Sequence, residues 1–427
     1  MSIAELNEQF ARRGASLPGH NETAAVRRAA LARFEQLGLP GRALETWHYT
    51  DLSSLAAVDL DYLGAVPDPA RCEAARAKLA GLELAADGPR LVFLDGHLID
   101  GLSVLPAAAG LDILPLDQRP GELLASAADD PALVALNTAL ARGGALIRVS
   151  GRSVPPVELV FIADRAGTAA QLRLRFELAA GASLTAVQHL VDLGGAGPAW
   201  LNLVADAELG AGSELSLYRL QQLGGEQTAT ALTRATLAER SILSAATVEI
   251  GAALSRNEYE IALAGEEART EVRGLALTRA RQHCDTRVAV DHRSPRTISR
   301  QDYRAIAADR SRSVFNGKVT VRKGAQHVDA RQRNDNLLLT ASAEIDTKPE
   351  LEIYADQVVC SHGATVGELS EEQLFYLRSR GIGAEAARAI LITAFADVIL
   401  REFALEAFRD RARTAVAADL PRRLAIG

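Results

Sequence analysis

Between about Ala145 and Gly367 the chain is written in short runs that alternate apolar and polar residues, and the runs return at a nearly fixed interval. Leu172-Arg-Leu-Arg-Phe-Glu-Leu178, Leu215-Ser-Leu-Tyr-Arg-Leu220 and Ala245-Ala-Thr-Val-Glu-Ile250 read as strands with one buried face. The phrase Leu178-Ala-Ala-Gly181-Ala-Ser-Leu184 is echoed by Leu209-Gly-Ala-Gly212-Ser-Glu-Leu215, and a similar phase returns near Leu237 and Leu263. Spacings of roughly 26 to 31 residues suit one coil of a β-solenoid, where a repeat buries its apolar face only by stacking on its neighbours. Long helical patterns do not occur in this stretch, which disfavours a βαβ sheet. A β-sandwich is the competing architecture.

Both flanks read as helical. Leu6, Phe10, Ala25, Ala29, Leu31 and Phe34 recur at helix-like spacing until Gly38-Leu39-Pro40-Gly41 stops the run. Trp47-His48-Tyr49-Thr50-Asp51-Leu52 is an aromatic cluster in a chain with few aromatics, and it reads as a docking patch for the N-terminal helices. A short apolar strand over Leu91 to Asp95 precedes Gly96, and a helical piece over 130–142 leads to Gly143-Gly144, which marks a boundary. Near the other end, Ser370-Glu-Glu-Gln373 spells a capping box, and Gly381 and Gly383 break the helix it opens. Ala387, Ile390, Leu391, Ala394, Phe395, Val398 and Ile399 then form a stripe that either caps the open end of the solenoid or docks another subunit. The expected fold is mainly β: a parallel β-helix core over 145–369 between a mostly helical domain over 1–144 and a C-terminal helical domain over 370–427.

The formal charge of -7 disfavours nucleic acid and leaves a basic partner, or one not chosen by charge. Arginine far outnumbers lysine, which stands only at 78, 318, 323 and 348, a compositional bias. The first ten residues lack the basic-then-apolar order of a signal peptide. The most apolar window, 386–403, is interrupted by Arg388, Asp397, Arg401 and Glu402, so no membrane span is expected. Cys72, Cys284 and Cys360 form no CxxC pair, which argues against a disulfide framework and for a reducing cytoplasm. Asn316-Gly317-Lys318 resembles the tail of a phosphate-binding loop, but Arg312 and Val319 stand where a glycine and a hydroxyl residue belong, so it reads as a turn between strands. Gly210-Ala-Gly212 lacks the third glycine of a dinucleotide fingerprint and is also a turn. Neither G-x-S-x-G nor H-E-x-x-H occurs.

Metal-ligand chemistry is what remains. His283-Cys284-Asp285, Asp291-His292 and Gln326-His327-Val328-Asp329 each read first as surface or core hydrogen-bonding groups. Cys360 and His362 stand apart, at the end of a strand-like run that starts near Asp346. Residues two apart in a strand point to one face, so a thiolate and an imidazole stand side by side. These ligands suit iron as well as zinc. Two ligands are half of a metal site, and an intersubunit site is the economical way to complete it.

Several long motifs bear on this. They are Val314-Phe-Asn-Gly-Lys-Val319, Gln332-Arg-Asn-Asp-Asn-Leu-Leu-Leu339, Pro349 to Asp356, Cys360-Ser-His-Gly-Ala-Thr365 and Leu374-Phe-Tyr-Leu-Arg-Ser-Arg-Gly-Ile382. Together they resemble the SufB/SufD family of iron-sulfur cluster assembly proteins, closely over the last third of the chain and in texture over the middle. Trp47 to Leu52, Cys360 to Thr365 and Leu377 to Ile382 resemble the SufD branch. The resemblance implies a right-handed parallel β-helix flanked by helical domains, in a complex with SufB and two copies of the ATPase SufC. It implies pairing with SufB through the β-helix. It also implies contact with SufC through the C-terminal helical region, where Phe375, Leu391, Phe395 and Val398 are the expected partner-binding residues. ATP hydrolysis would then belong to SufC, and this chain would be a non-catalytic scaffold that holds no cofactor alone. Cys360 and His362 would meet transient iron or a nascent cluster, with the missing ligands supplied by SufB. Two other readings stay open. One is a secreted-type β-helix acting on carbohydrate, against which the missing signal peptide counts. The other is a SufB-like primary scaffold, expected to need more cysteine. A homodimer of the free chain is also open.

Overall fold

The computed structural model describes residues 3–52, 55, 60–82, 88–124, 129–195 and 197–424. Two long sheets face each other along a parallel β-solenoid of eight coils. Sheet one contains β1 (Arg90–Leu94), β2 (His97–Leu98), β5 (Val157–Ile162), β7 (Ser183–Val191), β9 (Glu214–Gln222), β11 (Ile242–Glu249), β13 (Arg269–Thr278), β15 (Ile298–Ala307), β17 (Asp329–Leu338) and β19 (Val359–Glu368). Sheet two contains β3 (Leu111–Pro115), β4 (Gly143–Val149), β6 (Ala169–Leu178), β8 (Trp200–Leu209), β10 (Thr228–Leu237), β12 (Leu254–Leu263), β14 (His283–His292), β16 (Arg312–Val321) and β18 (Glu344–Ile353).

The echoed leucines of the sequence are stacked partners. Leu178, Leu209, Leu237 and Leu263 lie in one ladder across sheet two, and Leu184, Leu215 and Leu243 in another across sheet one. The step from coil to coil runs from 26 residues (Thr228 to Leu254) to 32 (Arg312 to Glu344). Each ladder points into the space between the sheets, where leucine, alanine, valine and phenylalanine close-pack. Burying one such large side chain is worth about 1.5–3 kcal/mol. In the later coils the interior turns polar and stitches coil to coil. Gln332 donates to Gln301 Oε1 at 3.3 Å, Asn334 to the Tyr303 carbonyl at 3.1 Å, and Asn336 to the Thr365 carbonyl at 3.0 Å.

The corners explain why the repeat is faint. After the Leu178 ladder the chain turns through one left-handed residue in successive coils: Gly181, Gly212, Arg240, Glu267 and Arg296. Glycine adopts that backbone freely and marks only the first two corners; the others carry side chains that tolerate it at some cost.

One expectation is corrected. Asn316-Gly317-Lys318 is no turn: it lies in the middle of β16. Gly317 faces the interior, where a Cβ would come 2.8 Å from Gln301 Oε1 and 2.9 Å from the Phe315 ring. Gly143-Gly144 opens strand β4, and strands upstream of it join the same two sheets, β1 parallel to β5 and β3 antiparallel to β4. Interior packing is equally tight at Gly274, where a Cβ would stand 2.0 Å from Tyr303 Cε1. Tyr303 is stacked on Phe315 with ring centres 4.9 Å apart and cannot retreat. Gly274→Ala is therefore expected to cost about 1–3 kcal/mol in urea unfolding.

Helices α1 (Ile3–Arg13), α2 (His20–Leu37) and α3 (Pro69–Ala80) precede β1, and α4 (Ala132–Leu140) lies between β3 and β4. Asp68 caps α3 by accepting the Arg71 amide at 2.9 Å, with Pro69 at the first helical position. Helix α4 lies on the outer face of sheet two at β6 and β8. At the other end come α5 (Glu371–Ser379), α6 (Ala384–Leu400) and α7 (Glu406–Leu424). The Ser370 hydroxyl caps α5, accepting the Gln373 amide at 3.3 Å as the capping box requires.

The apolar stripe of α6 is rotated from the expected one. Its buried residues are Ala387, Ile392, Ala396, Ile399 and Leu400; Ile390 is exposed. They pack on the side of sheet one, against Leu220, Val248, Leu275 and Ile306, and not over the end of the solenoid. Among the described residues no helix is long and apolar enough to cross a membrane.

Candidate metal centre

The last coil differs from all the others. The ladder that runs through Leu184, Leu215, Leu243, Thr270, Ser299 and Ala330 ends at Cys360, and the neighbouring inward ladder ends with Gln301, Gln332 and His362. Ala330 and Gln332 are buried, yet Cys360 is only half-buried and His362 is exposed, because among the described residues no further coil covers β18 and β19. The interior face of the solenoid thus becomes surface at this end. Cys360 and His362 do share one face, as two-residue spacing requires. They stand near the start of β19 and not at the end of a run.

Burial pushes the Cys360 thiol above its ordinary value, and nearby Asp329 adds to this, while a hydrogen bond with the Ala330 backbone opposes it. In the free chain the sulfur is therefore a thiol at neutral pH and not the thiolate expected from sequence. A metal ion arriving there must displace its proton. Among the described residues no group of three or more His, Cys, Asp or Glu side chains gathers as a metal site. A thiol and an imidazole are donor types that iron accepts, and among the described residues no third His, Cys, Asp or Glu joins them.

The other sequence clusters are dispersed by strand alternation. Cys284 points inward, fully buried, and its thiol is pushed up strongly by desolvation, which makes it an inert core residue. His283 and Asp285 point outward. The Thr50 hydroxyl donates to Asp285 Oδ2 and lies 2.8 Å from His283 Nε2. Arg256 donates to the same Asp285 oxygen, to Glu258 and, at 2.7 Å, to the Thr46 carbonyl, with its guanidinium 3.9 Å above the centre of the Trp47 ring. Tyr49 lies under Arg312 at 5.6 Å. The aromatic cluster is therefore a clip onto β12, β14 and β16 as well as a packing partner for Leu6 and Phe34. Sequence spacing holds no signal for this clip, since its halves are 235 residues apart. Asp291 pairs with Arg293 and Arg322 outside, and His292 lies inside between Thr297 and Ser299. His327 takes a left-handed corner and Asp329 pairs with Arg300.

Of the expected partner-binding residues, Phe375 is 73% exposed on α5. Leu391, Phe395 and Val398 are half-buried on α6, with Phe395 under the Arg304 guanidinium at 4.7 Å.

The family model for the SUF system FeS cluster assembly SufBD core domain matches residues 161–395, from β5 through most of α6. The iron-sulfur cluster assembly protein SufD of Escherichia coli is 32% identical over 402 residues, covering 92% of each chain. An iron-sulfur cluster assembly SufBD family protein of Synechocystis is 31% identical, covering 92% of this chain and 90% of its own. The chloroplastic protein ABCI7 of Arabidopsis thaliana is 38% identical over 172 residues, 40% of this chain and 36% of its own. With a family model matched from β5 past the open last coil and two relatives that each cover 92% of it, this chain belongs to the SufBD family of SUF-system iron-sulfur cluster assembly proteins.

Proposed function

We propose that the chain is a SufD-like, non-catalytic scaffold subunit of a cytoplasmic SufBCD complex, and that its open coil is the surface that receives SufB. The observation that carries this reading is the contrast between the two ends. At the N-terminal end the sheets finish on the two-residue strand β2 and the five-residue strand β3. At the other end β18 and β19 each offer ten residues of edge. Unpaired edges of that length invite another strand, and folds normally blunt them. Ile353, Val359 and Val366 are exposed apolar residues on the same coil. A matching coil on SufB would satisfy both edges and cover Cys360 and His362.

In that setting iron or a nascent cluster is the cargo. Cys360 and His362 supply a soft and a borderline ligand, and SufB supplies the rest. The thiol proton is lost on binding, to solvent or to a base of the partner, and the neutral imidazole binds through a ring nitrogen. Phe375, Leu391, Phe395 and Val398 make the C-terminal helices the docking region for SufC, which hydrolyses ATP. Movement of SufC is transmitted through α6 and opens the SufB-facing edge.

The test is the double variant Cys360→Ala/His362→Ala, co-expressed with SufB and SufC. A complex of unchanged size is expected, with a severalfold loss of iron and cluster by chemical assay and Mössbauer spectroscopy. Undiminished cluster content would overturn the assignment.

A further inference from the structure

Helix α6 meets sheet one along an outward ladder that changes character toward the open end. Leu220, Val248 and Leu275 are neighbours in it and belong to the apolar cluster that seats α6. The next three positions, on β15, β17 and β19, are Arg304, Asp335 and Thr365. The Arg304 guanidinium lies 4.7 Å from the centre of the Phe395 ring of α6 and donates to the Phe395 carbonyl at 3.3 Å. It also donates to Asp335 Oδ2 at 2.9 Å, an oxygen that Arg333 reaches at 2.7 Å. Asp335 Oδ1 accepts the Thr365 hydroxyl at 3.0 Å. Arg304 and Asp335 are both buried, so water competes little for these bonds.

Thr365 carries this connection because β19 offers little else on that face. The outward positions on either side of it are Gly363 and Gly367, and a Cβ at either would meet only open space. The neighbouring apolar ladder of Leu277, Ile306 and Leu337 ends on Gly367, so it passes no side-chain contact to β19. Among the described residues β19 is an edge strand, paired in its sheet with β17 alone. A strand held from one side opens locally before the rest of the fold does. From the interior, Asn336 holds the Thr365 carbonyl, so this one residue is gripped on both faces of the sheet.

Resting on the reading that Cys360 and His362 receive iron, we propose that Asp335 and Thr365 are positioning residues. They fasten the strand that carries the two ligands to α6 by way of Arg304, and a displacement of α6 reaches the open coil through them.

The test is hydrogen–deuterium exchange of the full-length chain, read over 359–366. Thr365→Val keeps the shape and loses the hydroxyl; β19 is expected to exchange about tenfold faster, the size expected for one hydrogen bond to a charged acceptor. Thr365→Ser keeps the hydroxyl and is expected to restore most of the protection. Phe395→Leu removes the ring under Arg304 and is expected to speed β19 about threefold, but to add nothing once Thr365 is Val. Phe408→Leu trims the same apolar cluster through α7, beside Tyr218 and Phe403, and is expected to leave β19 unchanged. Unchanged exchange in Thr365→Val, failure of Thr365→Ser to rescue, additive effects of Phe395→Leu and Thr365→Val, or equal loosening by Phe408→Leu would each overturn the proposal. The iron assignment is judged by cluster content of the complex and this anchor by exchange in the free chain, so either can fall without the other.

Discussion

Between pH 7.5 and pH 5, His189 and His292 are expected to withdraw roughly 4 kcal/mol of folding stability, ~2 kcal/mol each. His292 is enclosed in the solenoid, with its ring nitrogens 2.8 Å from the hydroxyls of Thr297 and Ser299, and burial holds its pKa down to about 4. His189 lies beneath α7; burial first, then Arg411 and Arg90, hold it near 3. Glu158 stands 4.0 Å away but is engaged by Arg90, so its pull does not restore the charge. In the unfolded chain both rings titrate near 6.5. As the pH falls, the unfolded chain therefore takes up protons first. Stability from these rings is whole above about pH 6.5 and drains away until the folded rings themselves protonate near 4 and 3. Glu249, raised by burial, works in the opposite sense, so the histidine share is read from a difference. Urea unfolding of wild type and His292→Gln at the two pH values should show the variant losing about 2 kcal/mol less on acidification. Equal losses would show that His292 is not held neutral.

Arg256→Ala is expected to destabilise the protein by about 3–5 kcal/mol, the cost of breaking a buried ion pair from one side. The guanidinium is almost fully buried and joins four partners: Asp285, Glu258, the Thr46 carbonyl and the Trp47 ring. Its loss strands Asp285 with the Thr50 hydroxyl as its chief support. Unfolding should also lose cooperativity, because this clip fastens the N-terminal segment to the middle coils. Limited proteolysis is expected to cut the chain first near residues 40–60 in the variant, while the solenoid survives. Arg256→Lys keeps the charge but loses the fork geometry, and a smaller loss is expected. Proteolysis unchanged from wild type would mean that helix packing alone holds the segment.

The coiled β architecture was legible because alternation and a returning leucine are both consequences of stacking, and both are visible along the chain. Leu178, Leu209, Leu237 and Leu263 turned out to be ladder neighbours. The Cys360/His362 pair was legible for the same reason, since two-residue spacing fixes a shared face. Which face it was did not follow: strand alternation is symmetric until one knows what covers the strand. The corner chemistry faded because left-handed turns at Arg240, Glu267 and Arg296 do without glycine. Gly317 misled in the opposite direction, being small to make room for Gln301 and Phe315 and not to bend the chain. The α6 stripe was rotated because hydrophobic periodicity marks apolar positions and not the surface that meets them. Thr50 could not be paired with Asp285 from sequence, because only the fold brings the N-terminal segment onto β14.

A rod of coils with one blunted end and one open end has a valence of one. If two such rods join open end to open end, as proposed above for SufB, no long sheet edge is left for a third to extend. Lengthening β2 and β3 to match β18 and β19 would give the rod a second valence and make fibres its natural product.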